Sequence, residues 1–216
     1  MPTDWMCTST SQYIDIHGEL HDYEKVLSFF ETIEDEFDVL KYCSGANAAG
    51  RWIFQVYSRE FIRELADIVN EALRTLGNSK PVLEVMGGDG RLSEFLKTQV
   101  SSEIICTDSR QGEYDIAYPK WVLKMNALES VEEFGPSVVI MSWEPFFSTV
   151  GGEIVDSCVP TVWIGDRNHC AVHSEMFDKP HIKMNSEFAL GRKDSFGSRE
   201  FNTDIYLFNW PSAIDG

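Results

Sequence analysis

Apolar residues keep one period along this chain as far as Leu76 and another beyond Lys80. From Asp22 to Leu40, Tyr23, Val26, Leu27, Phe30, Ile33, Phe37 and Leu40 recur at steps of three and four, as one face of an amphipathic helix does. Glu31, Glu34, Asp35, Glu36 and Asp38 fall mostly on the opposite side and read as a solvated face. "CSGANAAGRW" (43–52) reads as a loop of small residues. A second helix is predicted from Tyr57 to Leu76, with Phe61, Ile62, Leu65, Ile68, Val69, Ala72, Leu73 and Leu76 on its apolar stripe. Gly77 stands where a left-handed cap is wanted, and "NSKP" stops the helix.

Beyond residue 80, short apolar runs alternate with helical or irregular stretches: "PVLEVM" (81–86), "EIICTD" (103–108), "WVLKMN" (121–126), "SVVIMSW" (137–143) and "TVWIGD" (161–166). Runs of this length, rich in Val and Ile, are the mark of βα units feeding a parallel sheet buried on both faces. Helices are predicted at 91–99 and 127–134, while 110–120 reads as an irregular excursion. "HIKMNSEF" (181–188) and "DIYLFNW" (204–210) read as two more strands forming an antiparallel edge. The predicted fold is α/β: a doubly wound, mostly parallel seven-stranded sheet with an antiparallel C-terminal edge. A helical N-terminal extension is assigned to 1–78 and the sheet domain to 79–216.

Composition narrows the classes. A hydrophobic share of 43% with 12% aromatic residues is globular and not disordered. The formal charge of −17 argues against broad affinity for nucleic acid, which needs clustered Lys and Arg. No window approaches the roughly 20 apolar residues that span a bilayer, and "MPTDWMCTSTSQY" lacks the basic patch and apolar core of a secretory signal. Cys7, Cys43, Cys106, Cys158 and Cys170 are odd in number and dispersed, which reads as reduced intracellular thiols. A soluble cytoplasmic protein is expected, with no membrane partner and an oligomeric state the sequence leaves open.

In an open α/β sheet, ligands sit at the carboxyl ends of the strands, where strand order reverses. Three strands end in suitable polar residues: Glu84 with the glycine cluster Gly87, Gly88 and Gly90; Asp108; and Asn126. Glycine admits positive φ and close approach of a ligand to the backbone. A carboxylate ending the second strand suits both hydroxyls of a ribose. Together they indicate a nucleoside-containing cofactor. Residues 88–93 can be read as G-x-G-x-x-S, close to the dinucleotide fingerprint. A pyrophosphate there would meet Glu84 and Asp89, at a cost of about 1 kcal/mol or more per close pair. S-adenosylmethionine, cationic and without phosphate, suits an acidic loop better.

"VLEVMGGDGRL" resembles the first motif of the class I S-adenosylmethionine-dependent methyltransferases, an apolar strand followed by acid-x-G-x-G-x-G. The resemblance implies that Glu84 helps hold the methionine amine, with Gly88 and Gly90 as the last two glycines. Met86 stands where the family has its first glycine, followed by Gly87. "IICTDS" resembles the second motif, which implies Asp108 on the ribose and Ser109 beside the adenine. "KMNALE" resembles the third, which implies Asn126, with Ala127 next to it, at the adenine amino group. "VVIMSWEPF" lies at the fourth, where Ser142 would neighbour the transferred methyl. The resemblance covers about residues 80–166 and makes S-adenosylmethionine the expected cofactor.

The acceptor site is expected at "SWEPF" (142–146): Trp143 as a flat apolar wall, Glu144 as the carboxylate that takes a proton or fixes an amine, and Pro145 as a stiff turn. Glu144 is the candidate catalytic residue, with Trp143 and Pro145 binding substrate; its other reading is a carboxylate that caps the following segment. Arg51, Trp52 and Tyr57 belong to an extension that commonly folds over the cofactor in this family. "GDRN" (165–168) is placed at the substrate mouth. "NHCAVH" (168–173), with His169, Cys170 and His173, and the pair His17 and His21 lack a metal site's spacing, and no metal is expected. The expected activity is methyl transfer to a small molecule or protein. A catalytically inactive methyltransferase-like binding or regulatory module is the first alternative. An NAD-dependent oxidoreductase is the second, disfavoured on charge.

Overall fold

The computed structural model describes residues 14–112, 114–171 and 175–211; Cys7 and His173 lie outside the described residues. Helices form where apolar stripes meet good caps. The helix α1 (Tyr23–Glu36) buries Val26, Leu27, Phe30 and Ile33. It stops at Phe37, and a separate short α2 (Val39–Cys43) follows, with Asp38 accepting from the Lys41 amide. The single helix expected to Leu40 is therefore two, because Asp38 starts a new one. A two-residue strand β1 (Gln55–Val56) leads to α3 (Arg59–Leu76), capped by Ser58 and closed by Gly77 at φ 59°.

The sheet strands are β2 (Val82–Val85), β3 (Ile104–Asp108), β4 (Leu123–Lys124), β5 (Val138–Ser142), β6 (Thr161–Gly165), β7 (His181–Lys183) and, after a two-residue β8 (Leu190–Gly191), β9 (Asp204–Phe208). Their order is β4-β3-β2-β5-β6-β9-β7. Pairings from β4 through β6 are parallel, and β9 runs antiparallel between β6 and β7. The expected mostly parallel seven-stranded sheet with an antiparallel edge is present. Its strands alternate as the pleat requires. Val82, Ile104, Val138, Ile140 and Val162 pack with Phe61, Leu65, Val69 and Ala72 of α3 and with Leu92 and Leu96 of α4 (Arg91–Leu96). Leu83, Val85, Val139, Met141 and Trp163 face the other way. There they meet Ala127 of α5 (Ala127–Phe134) and Ile154 and Val155 of α6 (Val150–Asp156). Helices on both faces make the sheet doubly wound.

A third core is built from α1, α2, Ile16, Ile53 and Val56 together with Leu190 and Phe196. β1 pairs antiparallel with β8 in a sheet of its own. Residues 14–57 thus pack with the segment just before β9. No helix among the described residues is long and apolar enough to cross a membrane.

Candidate functional site

Strand order reverses between β2 and β5, which lie side by side but lead to neighbours on opposite sides. A cavity of about 650 Å³ opens at the carboxyl ends of these strands, within the size range of small-molecule sites. Both strands end in a residue with left-handed backbone: Met86 at φ 56° and Trp143 at φ 57°. Non-glycine residues hold that region only where the surroundings over-determine them, commonly at functional sites. At position 86 the chain holds a backbone shape that favours glycine and carries a side chain into the cavity wall.

The acids of the glycine loop are not an open anionic cradle. Glu84 is 2% exposed, and its Oε2 accepts from the Ser93 amide at 3.0 Å and from the Ser93 hydroxyl. Burial pushes its carboxyl up to about 7. Asp89 accepts from the Arg91 amide at 3.1 Å and pairs with Arg51 Nη1 at 3.1 Å, while Arg51 Nε reaches Asp15 at 2.8 Å. Amides along the loop are already committed: Gly87 to Thr107, Gly88 to Asp108, Gly90 to Gly87, Arg91 to Asp89, Ser93 to Glu84 and Glu94 to Gly90. A doubly anionic pyrophosphate needs such amides free.

Of the cofactor residues expected from sequence, Glu84, Met86, Gly87 and Gly88 line the cavity, as do Asp108, Ser109 and Ser142. Asp108 accepts from the Gly88 amide at 2.9 Å and from the Arg110 amide at 2.7 Å, and the Tyr118 side chain is also hydrogen-bonded to it. Three expected residues are elsewhere. Gly90 is buried beneath Trp121, whose ring a Cβ there would overlap, so its absent side chain serves packing. Asn126 is exposed and caps α5 by accepting from the Glu129 amide at 2.9 Å. Ala127 belongs to the core under α5.

Trp143, Glu144 and Pro145 also line the cavity. The Trp143 indole donates to Gln55 Oε1 at 3.0 Å, tying the end of β5 to the N-terminal segment. Glu144 is 1% exposed. Its Oε1 accepts from Ser148 Oγ at 2.7 Å and the Gly151 amide at 2.8 Å, and its Oε2 from Trp163 Nε1 at 3.2 Å. These bonds favour the ionised form and burial opposes it; burial prevails and raises its carboxyl. These bonds tie Glu144 to the start of α6 and to β6 at the wall of the cavity.

His169 stands on the same wall. Its Nδ1 lies 2.6 Å from Oδ2 of Asp166, which is 1% exposed and also accepts from the Asn168 amide. A buried carboxylate in that position holds the imidazole with Nδ1 protonated and Nε2 as acceptor. His169 lines the cavity, and its side chain is 43% exposed. The residues 165–168 were placed at the substrate mouth in sequence, but the i, i+3 pairing of Asp166 with His169 needs the turn after β6 to exist. Sequence reasoning also missed the wall formed by Phe54, Gln55, Tyr114 and Arg192, because it comes from segments far apart in the chain.

Four buried side-chain polar atoms have no hydrogen-bond partner among the described residues: His17 Nε2, Arg91 Nε, Ser142 Oγ and Thr203 Oγ1. The first three belong to residues that line this cavity. Buried polar groups are almost always paired, with protein, water or a ligand. Burial also drives the His17 imidazole down to about 3, so it is neutral there.

No family model matches the chain, and no curated protein matches it in sequence. A similar solved structure is that of a Streptococcus mutans protein, itself only provisionally assigned as a SAM-dependent methyltransferase. The two are 11% identical with a TM-score of 0.37, over 65% of this chain and 47% of that one. This chain therefore spans about half the length of that neighbour, and the fold rests on the sheet topology described above.

Proposed function

We propose that this chain is an S-adenosylmethionine-dependent methyltransferase acting on a small-molecule or protein acceptor. The observation that carries the reading is the state of the glycine loop. It lies at the switch point of a doubly wound sheet with the amides of Gly87, Gly88, Gly90, Arg91 and Ser93 already bonded, while Asp108 and three unpartnered polar groups border the cavity. That arrangement suits a nucleoside cofactor without phosphates and disfavours a dinucleotide.

Asp108 would take the ribose hydroxyls and Ser109 would lie beside the base. S-adenosylmethionine, when bound, supplies an electrophilic methyl on a sulfonium. The chain's part is to position the acceptor and receive its proton. His169 Nε2 would receive the proton that the acceptor gives up, and Asp166 would stabilise the imidazolium through Nδ1–H. Ser142 and Trp143, at the end of β5, border the same space.

Thermal denaturation in millimolar S-adenosylhomocysteine, S-adenosylmethionine or NADH tests the reading. A ligand at 100 times its Kd adds about 2.7 kcal/mol, several degrees for a chain of this size. Both sulfur nucleotides are expected to give that shift in the native chain, to lose it in Asp108→Ala and to keep it in His169→Asn, with NADH inert. No shift with either sulfur nucleotide, or a shift with NADH alone, rejects the proposal.

A further inference from the structure

We infer that the wall of this cavity formed by the N-terminal segment and β8 recognises an acceptor consisting of a flat ring that bears a carboxylate, with Arg192 as its anion partner. That the bound molecule is an acceptor rests on the methyltransferase reading; the recognition chemistry does not.

Arg192 follows β8, and its amide donates to the Phe54 carbonyl at 3.0 Å, so the β1–β8 ribbon fixes where the side chain begins. Its Nη2 donates to Ser44 Oγ at 2.5 Å. The guanidinium carbon lies 4.9 Å from the Phe54 ring centroid and 5.8 Å from that of Trp52. This is a cation held against aromatic faces, partly withdrawn from water, with one of its five N–H donors placed on a neutral hydroxyl. Among the described residues it has no carboxylate partner within ion-pair distance. Among the described residues of a chain with 35 acidic and 18 basic residues, a partly buried arginine without an acid is an exception. Desolvating a guanidinium without an anion is unfavourable, and burial does depress its affinity for its proton.

The surroundings specify the rest of the ligand. Trp52 and Tyr114 have ring centroids 4.7 Å apart, Phe54 and Tyr114 5.1 Å, and Phe54 and Trp143 6.4 Å. Connected aromatic faces around one cation accept a flat apolar body with a negative end. A carboxylate fits the guanidinium fork in two parallel bonds. A phosphate dianion would draw on Lys193 as well, which lines the cavity beside Arg192, but it lacks the flat apolar body that the rings match and would face Asp108 on a chain of net charge −17. The methionine carboxylate of the cofactor is the other monoanion to consider. His17 and Arg91, with their unpartnered nitrogens, belong with the glycine loop and α4 and so are nearer in the fold to that end.

The test uses the full chain and three probes, benzoate, benzamide and inorganic phosphate, titrated by tryptophan fluorescence with and without S-adenosylhomocysteine. Benzoate is expected to bind and benzamide to bind at least tenfold more weakly. Arg192→Met should weaken benzoate about 30-fold and erase its advantage over benzamide, as loss of one partner of a desolvated charge pair does. S-adenosylhomocysteine binding should be unchanged. Arg192→Lys keeps the charge and loses the fork; it should reduce the benzoate preference and serves as the test if the methionine variant does not fold. Benzoate binding without any S-adenosylhomocysteine binding would leave the ring-carboxylate site standing and remove the methyltransferase reading. No benzoate binding at millimolar concentration, a benzoate preference untouched in the variants, phosphate binding more tightly than benzoate, or loss of S-adenosylhomocysteine binding in Arg192→Met each overturns the inference.

Discussion

Glu84, next to last in β2, is a carboxylate in the interior, bonded to the Ser93 amide and hydroxyl. Burial lifts its titration from 4.5 to about 7. Between those two values the folded protein keeps a proton that the unfolded chain has released. Stability from this group is therefore full below about pH 4.5 and falls as pH rises toward 7, by about 3 kcal/mol in all. His17, lowered from 6.5 to about 3 by burial, has the opposite slope and loses stability as pH falls through that range. Urea unfolding of Glu84→Gln at pH 5 and pH 7.5 is expected to show a smaller loss of stability on going to the higher pH than the native chain shows. An unchanged difference would mean that Glu84 is ionised in the fold. The sequence places an acid at the end of a strand; its state depends on what surrounds it, and no local pattern contains that.

At the scale of the element, the turn between β2 and α4 adopts a glycine shape at a methionine. A non-glycine residue at φ 56° costs on the order of 1 kcal/mol. Glycine at 86 would relieve that strain but add freedom to the unfolded chain and remove a partly buried side chain. Met86→Gly is therefore expected to stay within about 1 kcal/mol of the native stability in urea unfolding. It should bind S-adenosylhomocysteine more tightly, since the cavity wall loses a side chain. Met86→Val, β-branched in the same conformation, should lose about 2 kcal/mol. Comparable stability for the valine and glycine variants would reject the strain argument. Other elements show how sequence was read well or misread. "KMNALE" resembles a motif that implies an adenine contact, yet Asn126 and Glu129 also have the spacing of a capping box. The structure uses that second meaning: Asn126 accepts from the Glu129 amide and donates to its carboxylate at 3.2 Å. α6 went unread because two glycines in "VGGEIVD" break the helical pattern; Gly151 is there because a Cβ would overlap the Glu144 carboxylate.

Across the whole molecule, Arg51 joins three distant parts of the chain. It reaches back to Asp15 and across to Asp89 in the glycine loop. On the proposed function, a ligand at the loop stabilises the N-terminal segment as well. Hydrogen exchange with saturating S-adenosylhomocysteine should slow at residues 86–90 and also at 51–57, by up to about 100-fold at 100 times Kd. Protection confined to 86–90 would show that the extension is energetically separate.

The sequence by itself determined the elements whose periodicity is local: α3 with its Gly77 cap, the buried strands, their alternation with helices, and hence a doubly wound sheet with Asp108 at a strand end. Side-chain spacing at 3.6 or 2 residues is a property of neighbours in the chain, so it can be read there. Only the tertiary structure decided which charges are exposed, which amides are already bonded and which segments share a wall. Glu84, Asp89 and Glu144 are acids in any reading, yet Ser93, Arg51 and the start of α6 decide what each does. The His169–Asp166 pair depends on the turn that follows β6, and the Arg192 wall on contacts between segments up to 148 residues apart, as in the bond from Arg192 to Ser44. Desolvation and pairing are set by such contacts, and these groups acquire their chemistry from them.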